Sequence, residues 1–304
     1  MSVDGANSIQ IAPVNVFWRI EAREQIVVSQ GAPALDGKYF RLGDANAQTF
    51  TIVWFDVDDS STPPSLGPSD SRLLEVDLVT ADGASEVATK LSAALEADAE
   101  YTSALTPEEY VDVKRTAFGP VLQVADGDTG FETGFTLTQC RFGQNYDLGL
   151  IQGDISESLA PAVLDVTTQQ NGLTPVLALL QGIETAEVTT TLLETAYQKI
   201  QDIYKLYGGE ITGQDSSAIF GLGTSRQGEN LLPYAARLEL VPVNENNSAN
   251  AAFLTLAIPV PNELVFSGEN PRTLDVTWRG YADELAPAEV SVAGFGDPSQ
   301  FPFP

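Results

Sequence analysis

Residues 149–159 read GLIQGDISESL, with a carboxylate and two hydroxyls at every second position of an otherwise mostly apolar stretch. Successive side chains of an extended chain point to opposite faces. Asp154, Ser156 and Ser158 therefore share one side, while Ile155, Glu157 and Leu159 share the other. The segment reads as a β-strand with a polar face. Whether that face is a catalytic surface or a wall depends on what the rest of the chain supplies.

The chain has 304 residues, of which 43% are hydrophobic, enough for a core at the size of one large or two ordinary domains. Asp and Glu number 42 against 15 Lys and Arg, a net charge of −27. Grip on nucleic acid by phosphate neutralisation is opposed by such a surface, whereas DNA that must slide past without sticking is served by it. The acidic excess is spread along the whole chain, so adaptation to a salty medium explains it as well as function does. Histidine is absent, which removes the commonest general base, the commonest zinc ligand and every Ser-His or Cys-His pair. The single cysteine, Cys140, has no partner for an internal disulfide and reads as a small buried apolar residue. The start, MSVDGANSIQ, lacks a basic and then apolar leader, and no stretch approaches the ~20 apolar residues of a membrane-spanning helix. A soluble protein without visible export is expected.

Strand-like runs dominate: 14–22, 38–42, 49–57, 73–79, 111–116, 119–125, DISESL, 186–192, 236–243, 253–260 and 272–281. Their Val, Ile, Thr and aromatic content, broken by turn residues, predicts antiparallel sheets. Two helices are expected. One runs from about Ser85, as its cap, to Ala99, with Val87, Leu91, Ala94 and Leu95 on one face. The other runs from about Glu194 to Tyr207, with Thr191 and Glu194 at capping-box spacing and Gly208-Gly209 as its stop.

Composition shifts near residues 32 and 138. The segment between holds 19 acidic and 6 basic residues, about twice the charge density of the remainder. Its expected ββαββ-like order marks 32–138 as a small α+β domain inserted into a host domain formed by 1–31 and 139–304. Residues 208–233 and 286–304 form long Gly/Ser/Asn-rich segments that nevertheless carry Ile219, Phe220, Leu222, Phe295, Phe301 and Phe303. Two readings stay open for them: docking on a neighbouring subunit, and packing back on their own domain.

No constellation assembles a nucleophile, a base and an oxyanion stabiliser, so no catalytic residue is assigned and no cofactor is expected. Asp128-Thr129-Gly130 copies the aspartic-protease triplet, but that chemistry needs two such carboxylates and Phe131 follows where a small residue belongs. Asp56, Asp58 and Asp59 suit a hard cation, yet an EF-hand counted from Asp56 would place Ser61 and Gly67 where Gly and Glu are required. A solvated turn explains them, and an irregular calcium site with Asp126 or Asp128 is the alternative. GLGTSRQG (221–228) lacks the spacing of a phosphate-binding loop. The sequon at Asn246 has no secretion signal to make it relevant.

The order of pieces in YDLGLIQGDISESLAPAVLDVTTQQNGLTPVLALLQGIETAEVTTTLLETAYQKIQDIY (146–204) resembles the tail tube proteins of long-tailed bacteriophages. The matching parts are Gly149 to Asp154, Asp165 to Pro175, and Leu193-Glu194 leading into a helix. The run from Ala236 to Glu284, with its TLDVTWRGYADE, looks like the closing strands of that family. The inserted segment looks like modules that recur in phage structural proteins.

The resemblance implies a tail-tube-like β-sandwich or barrel with a flanking helix, assembled as stacked hexameric rings without catalysis. Asp154, Ser156 and Ser158, with Thr185, Glu187, Thr189 and Thr191 of the next strand, would line the channel that viral DNA crosses. Other tail proteins would be partners, and the site of action would be the virion tail after assembly in the host cytoplasm. Closing the strands into a ring-wide barrel would also remove exposed edges that invite aggregation. The competing expectation is a carbohydrate- or cation-binding surface protein acting through 32–138.

Overall fold

The computed structural model describes residues 14–45, 49–106, 110–122, 135–149, 151, 155–167, 175–193, 203–204, 206–212, 218–222, 227–242, 251–265, 273–283 and 292–297. The protein is mainly β, with fifteen strands among the described residues. The chain divides into two compact units. One comprises Arg19–Asn145 with Leu232–Tyr234; the other comprises Met1–Trp18, Tyr146–Leu231 and Ala235–Pro304. The first of these is wider than the 32–138 segment marked by composition, because it takes in most of the strands Val14–Val28 and Phe135–Gly149.

The Arg19–Asn145 unit draws on β1 (Val14–Val28), β2 (Tyr39–Gly43), β3 (Phe50–Val57), β4 (Asp70–Leu78), α1 (Ala84–Ala97), β5 (Tyr101–Leu105), β6 (Tyr110–Phe118) and β7 (Phe135–Gly149). β1 and β5 flank β6, both antiparallel, with Ile26 opposite Val111 and Leu105 opposite Val111 on the other side. β7 pairs with β1. A separate sheet has the order β2, β3, β4. Here the expectation of purely antiparallel pairing fails: β3 and β4 run parallel, with Val53 opposite Leu74. The chain between them, residues 58–69, has to return along the sheet without a helix. The Gly119–Ala125 strand is also corrected, since residues 119–122 are not in a strand and the remaining three lie outside the described residues. The two strands that follow the helix are instead β5 and β6.

α1 forms because Val87, Ala88, Leu91 and Leu95 recur at helical spacing and are all buried. Its N-cap is Gly83, not Ser85; the Gly83 carbonyl accepts the Val87 N–H at 3.0 Å, and no side chain caps the helix. The buried face joins Phe40, Leu42, Val53, Phe55, Val57, Val76, Leu78, Ile26 and Phe135 in one core. Phe55 stacks on Phe135 with centroids 4.8 Å apart.

The other unit contains β8 (Ser156–Thr167), β9 (Pro175–Leu193), β10 (Gly208–Thr212), β11 (Ala218–Leu222), β12 (Ala236–Pro242), β13 (Ala252–Val265), β14 (Thr273–Tyr281) and β15 (Ala293–Phe295). Its sheet runs β12, β13, β14, β9, β8, all antiparallel neighbours, with β15 also on β13. Of the helix expected over 194–207, Ile203 and Tyr204 are helical, and residues 194–202 and 205 lie outside the described residues. The long connection expected at 208–233 is in part a hairpin: β10 and β11 pair with Ile211 opposite Ile219.

Tryptophans tie this unit together. Trp18 donates its indole N–H to the Ala257 carbonyl at 3.0 Å and stacks on Tyr146 at 5.5 Å. Trp278 lies 5.8 Å from Trp18 and donates to the Thr190 hydroxyl at 2.9 Å. That bond gives a buried hydroxyl on an apolar face its partner.

Candidate functional site

The polar positions singled out in β8 and β9 face the same way. Ser156 lies opposite Thr189 and Ser158 opposite Glu187, so the period-2 alternation of each strand puts Ser156, Ser158, Glu187, Thr189 and Thr191 on one surface. Ser156, Ser158 and Thr189 are exposed. Thr185 pairs with Ala160 two positions further along β9, and its description stops at the backbone. Asp154 lies outside the described residues.

β14 extends this surface, which the sequence reading missed. Arg279, Thr277 and Asp275 stand opposite Glu187, Thr189 and Thr191. The Arg279 Nε lies 3.2 Å from the Glu187 carboxylate, and the Thr191 hydroxyl donates to Asp275 at 2.7 Å. Asn262 of β13 donates to the Thr277 hydroxyl at 2.8 Å. The signal was present in TLDVTWRGY, where Asp275, Thr277 and Arg279 alternate with Leu274, Val276 and Trp278.

The reverse side of the same three strands is apolar. Ala186, Val188, Leu192, Leu274, Val276 and Trp278 are all buried there. Gly280 belongs to this side by necessity, since a Cβ would stand 3.0 Å from that of Ala186. Glu157 and Leu159 of β8 share the side by alternation. Glu157 is partly buried, and desolvation raises its carboxyl above the ordinary range.

Beyond Glu187, β14 no longer pairs with β9, and β8 and β9 continue as a two-stranded ribbon. Register shifts occur between Ala160 and Pro161, Ala162 and Val163, and Val166 and Thr167. Gly182 takes a φ of +149° with nothing within 4 Å of a built Cβ. Val163 pairs with Leu180 and Leu164 with Leu179. Consecutive pairs point to opposite faces, so the ribbon exposes leucine and valine on both: Leu180 is 71% exposed and Val163 53%.

The proposed contact residues are less fully placed. Phe295 sits on β15 opposite Ala252 and is 69% exposed. Ile219, Phe220 and Leu222 lie on β11, where the description stops at the backbone. Phe301 and Phe303 lie outside the described residues.

Carboxylates of the Arg19–Asn145 unit are largely engaged by their own neighbours. Asp36 accepts hydrogen bonds from the Ser61 and Ser60 hydroxyls and the Val57 N–H, and these, Ser61 first, lower its pKa against a smaller opposing desolvation. Asp44 accepts from Thr49, Thr51 and Ser71. Asp56 accepts the Ser61 N–H, and Asp58 accepts the Thr80 hydroxyl. Asp58 and Asp59 hold left-handed φ values of 56° and 53°. Among the described residues no group of three or more Asp, Glu, His or Cys is placed to hold a metal ion; Asp126 and Asp128 lie outside them. Among the described residues of this unit, Arg23 with Asp112 and Arg115 with Glu24, the latter at 2.8 Å, form buried ion pairs. Arg115 also donates to the Gly43 carbonyl at 2.8 Å, and its guanidinium lies 4.9 Å from the Tyr101 ring. Burial pushes the Cys140 thiol up, which disfavours its reactive thiolate.

A scan against protein-family models finds no match, and a search of curated proteins finds no similar sequence. No helix among the described residues is long and apolar enough to cross a membrane.

Proposed function

We propose that this chain is a structural subunit that self-assembles into stacked hexameric rings, forming the tail tube of a long-tailed phage. The observation that carries the proposal is the two-sided character of β8, β9 and β14 together with their ribbon. One side is a field of hydroxyls and paired charges. The ribbon exposes apolar side chains on both faces, a surface that favours burial against other protein. β8 ends the order of the described strands, so a neighbouring copy could add there and close the sheets into a barrel. In that arrangement the hydroxyl face would form the channel wall, and the net charge of −27 would keep phosphates from sticking to it. The tail-tube-like sandwich or barrel, and a 32–138 domain on the tube exterior, belong to the same proposal.

Negative-stain electron microscopy of the purified chain at rising concentration tests it. Rings or hollow tubes with six-fold symmetry are expected. A chain that stays monomeric at every concentration, and also when supplied with preformed tail tips, would remove the proposal.

A further inference from the structure

We infer that Glu157 is a gatekeeper of self-association, keeping the open edge of β8 closed to a second copy of the chain until its carboxylate takes up a proton. The inference rests on the self-assembly proposed above and adds what regulates it.

Natural sheets protect exposed edges with prolines, bulges and charges that point inward. β8 carries all three. Pro161 lies within it and its register shifts three times against β9. Glu157 lies opposite Val188, which in turn lies opposite Trp278. The carboxylate therefore shares the side on which Val188 and Trp278 are buried, not the hydroxyl side. Its same-side neighbours are Leu159 on β8 and Ile155 just before it, Ala186, Val188 and Thr190 on β9, and Val276 and Trp278 on β14. None is ionisable. The rings stacked beyond Trp278 are Trp18 and Tyr146, and a phenol is neutral through the carboxylate range. The charged groups of this part of the sheet, Glu187, Asp275 and Arg279, stand on the opposite side.

A strand added to β8 would cover this position more completely. An ionised carboxylate with no counter-charge among the described residues around it resists that burial, whereas a protonated one does not. Desolvation already raises the Glu157 pKa in the free chain, so protonation occurs at a milder pH than for an ordinary glutamate.

The test compares full-length wild type, Glu157→Gln and Glu157→Lys by sedimentation velocity between about pH 4 and pH 8 at fixed ionic strength, with electron microscopy of the products. All 42 acidic groups titrate in the wild type, so the difference between variants carries the result. Wild type should associate increasingly as pH falls. Glu157→Gln should associate near neutral pH at a concentration about tenfold lower, with a flatter pH profile. Glu157→Lys should remain monomeric across the range. A critical concentration and pH profile for Glu157→Gln equal to wild type would overturn the gatekeeper while leaving rings intact. Assembly of Glu157→Lys at low pH like wild type would do the same, even if Glu157→Gln failed to fold. Absence of association by every chain at every pH would overturn the self-assembly reading and this inference with it.

Discussion

Arg279 of β14 and Glu187 of β9 stand directly across the sheet from each other, guanidinium Nε to carboxylate oxygen at 3.2 Å, on the hydroxyl side. Both are substantially exposed, so the pair contributes about 0.2–1 kcal/mol at most to folding. In the proposed tube its larger effect would be on the DNA that crosses this face. A free guanidinium forms forked hydrogen bonds to phosphate, and Glu187 stands against the Nε edge of that fork. In assembled rings, Glu187→Gln should leave the thermal midpoint nearly unchanged but make tubes retain short duplex DNA at low salt. The double variant with Arg279→Gln should release it again. Retention unchanged by Glu187→Gln would show that this surface does not meet DNA.

The ribbon supplies a second expectation. Leu180 and Val163 are exposed, so Leu180→Asp and Val163→Asp should fold with midpoints close to wild type, since surface changes away from special features have small effects. Ring or tube formation should be lost. Light scattering that matches wild type would exclude the ribbon as a contact.

Arg115 and Glu24 form a pair with almost no solvent exposure. Arg115→Met leaves a buried carboxylate without its counter-charge and should destabilise the chain by about 3–5 kcal/mol. Adding Glu24→Leu should recover much of that loss, because two apolar groups leave no charge stranded. Urea denaturation of the single and double variants measures both. A double variant no more stable than the single would mean the pair's hydrogen-bonding neighbours, not the charge, set the loss.

Tyr207 donates its hydroxyl to the Pro259 carbonyl at 2.6 Å. Burial first, and then the nearby Tyr281, push its phenol from 10.0 up to about 12. The folded state thus holds the proton more tightly than the unfolded state does. Stability from this group is fully present below about pH 10 and is lost as pH rises from about 10 toward 12. Tyr207→Phe should flatten that part of the stability curve. A slope identical to wild type would assign the alkaline loss to other groups.

The polar side of β8 and β9 could be read from local alternation because that signal depends only on neighbouring letters. Its third strand could not, because the pairing of β14 with β9 joins residues far apart in sequence. Gly83 replaced the expected Ser85 cap because a backbone carbonyl alone begins α1. β5 escaped notice since YTSAL has little of the branched content that marks strands, and its place depends on β6.

The departure of the β8–β9 ribbon from β14 separates two properties that evolution can tune independently. Lengthening the ribbon tip by one residue on each strand would extend its reach by about 3.4 Å without moving a hydroxyl of the three-stranded face. Changing those hydroxyls would leave the reach untouched. If copies assemble as proposed, their spacing and the slipperiness of the surface would diverge separately among descendants of this sequence.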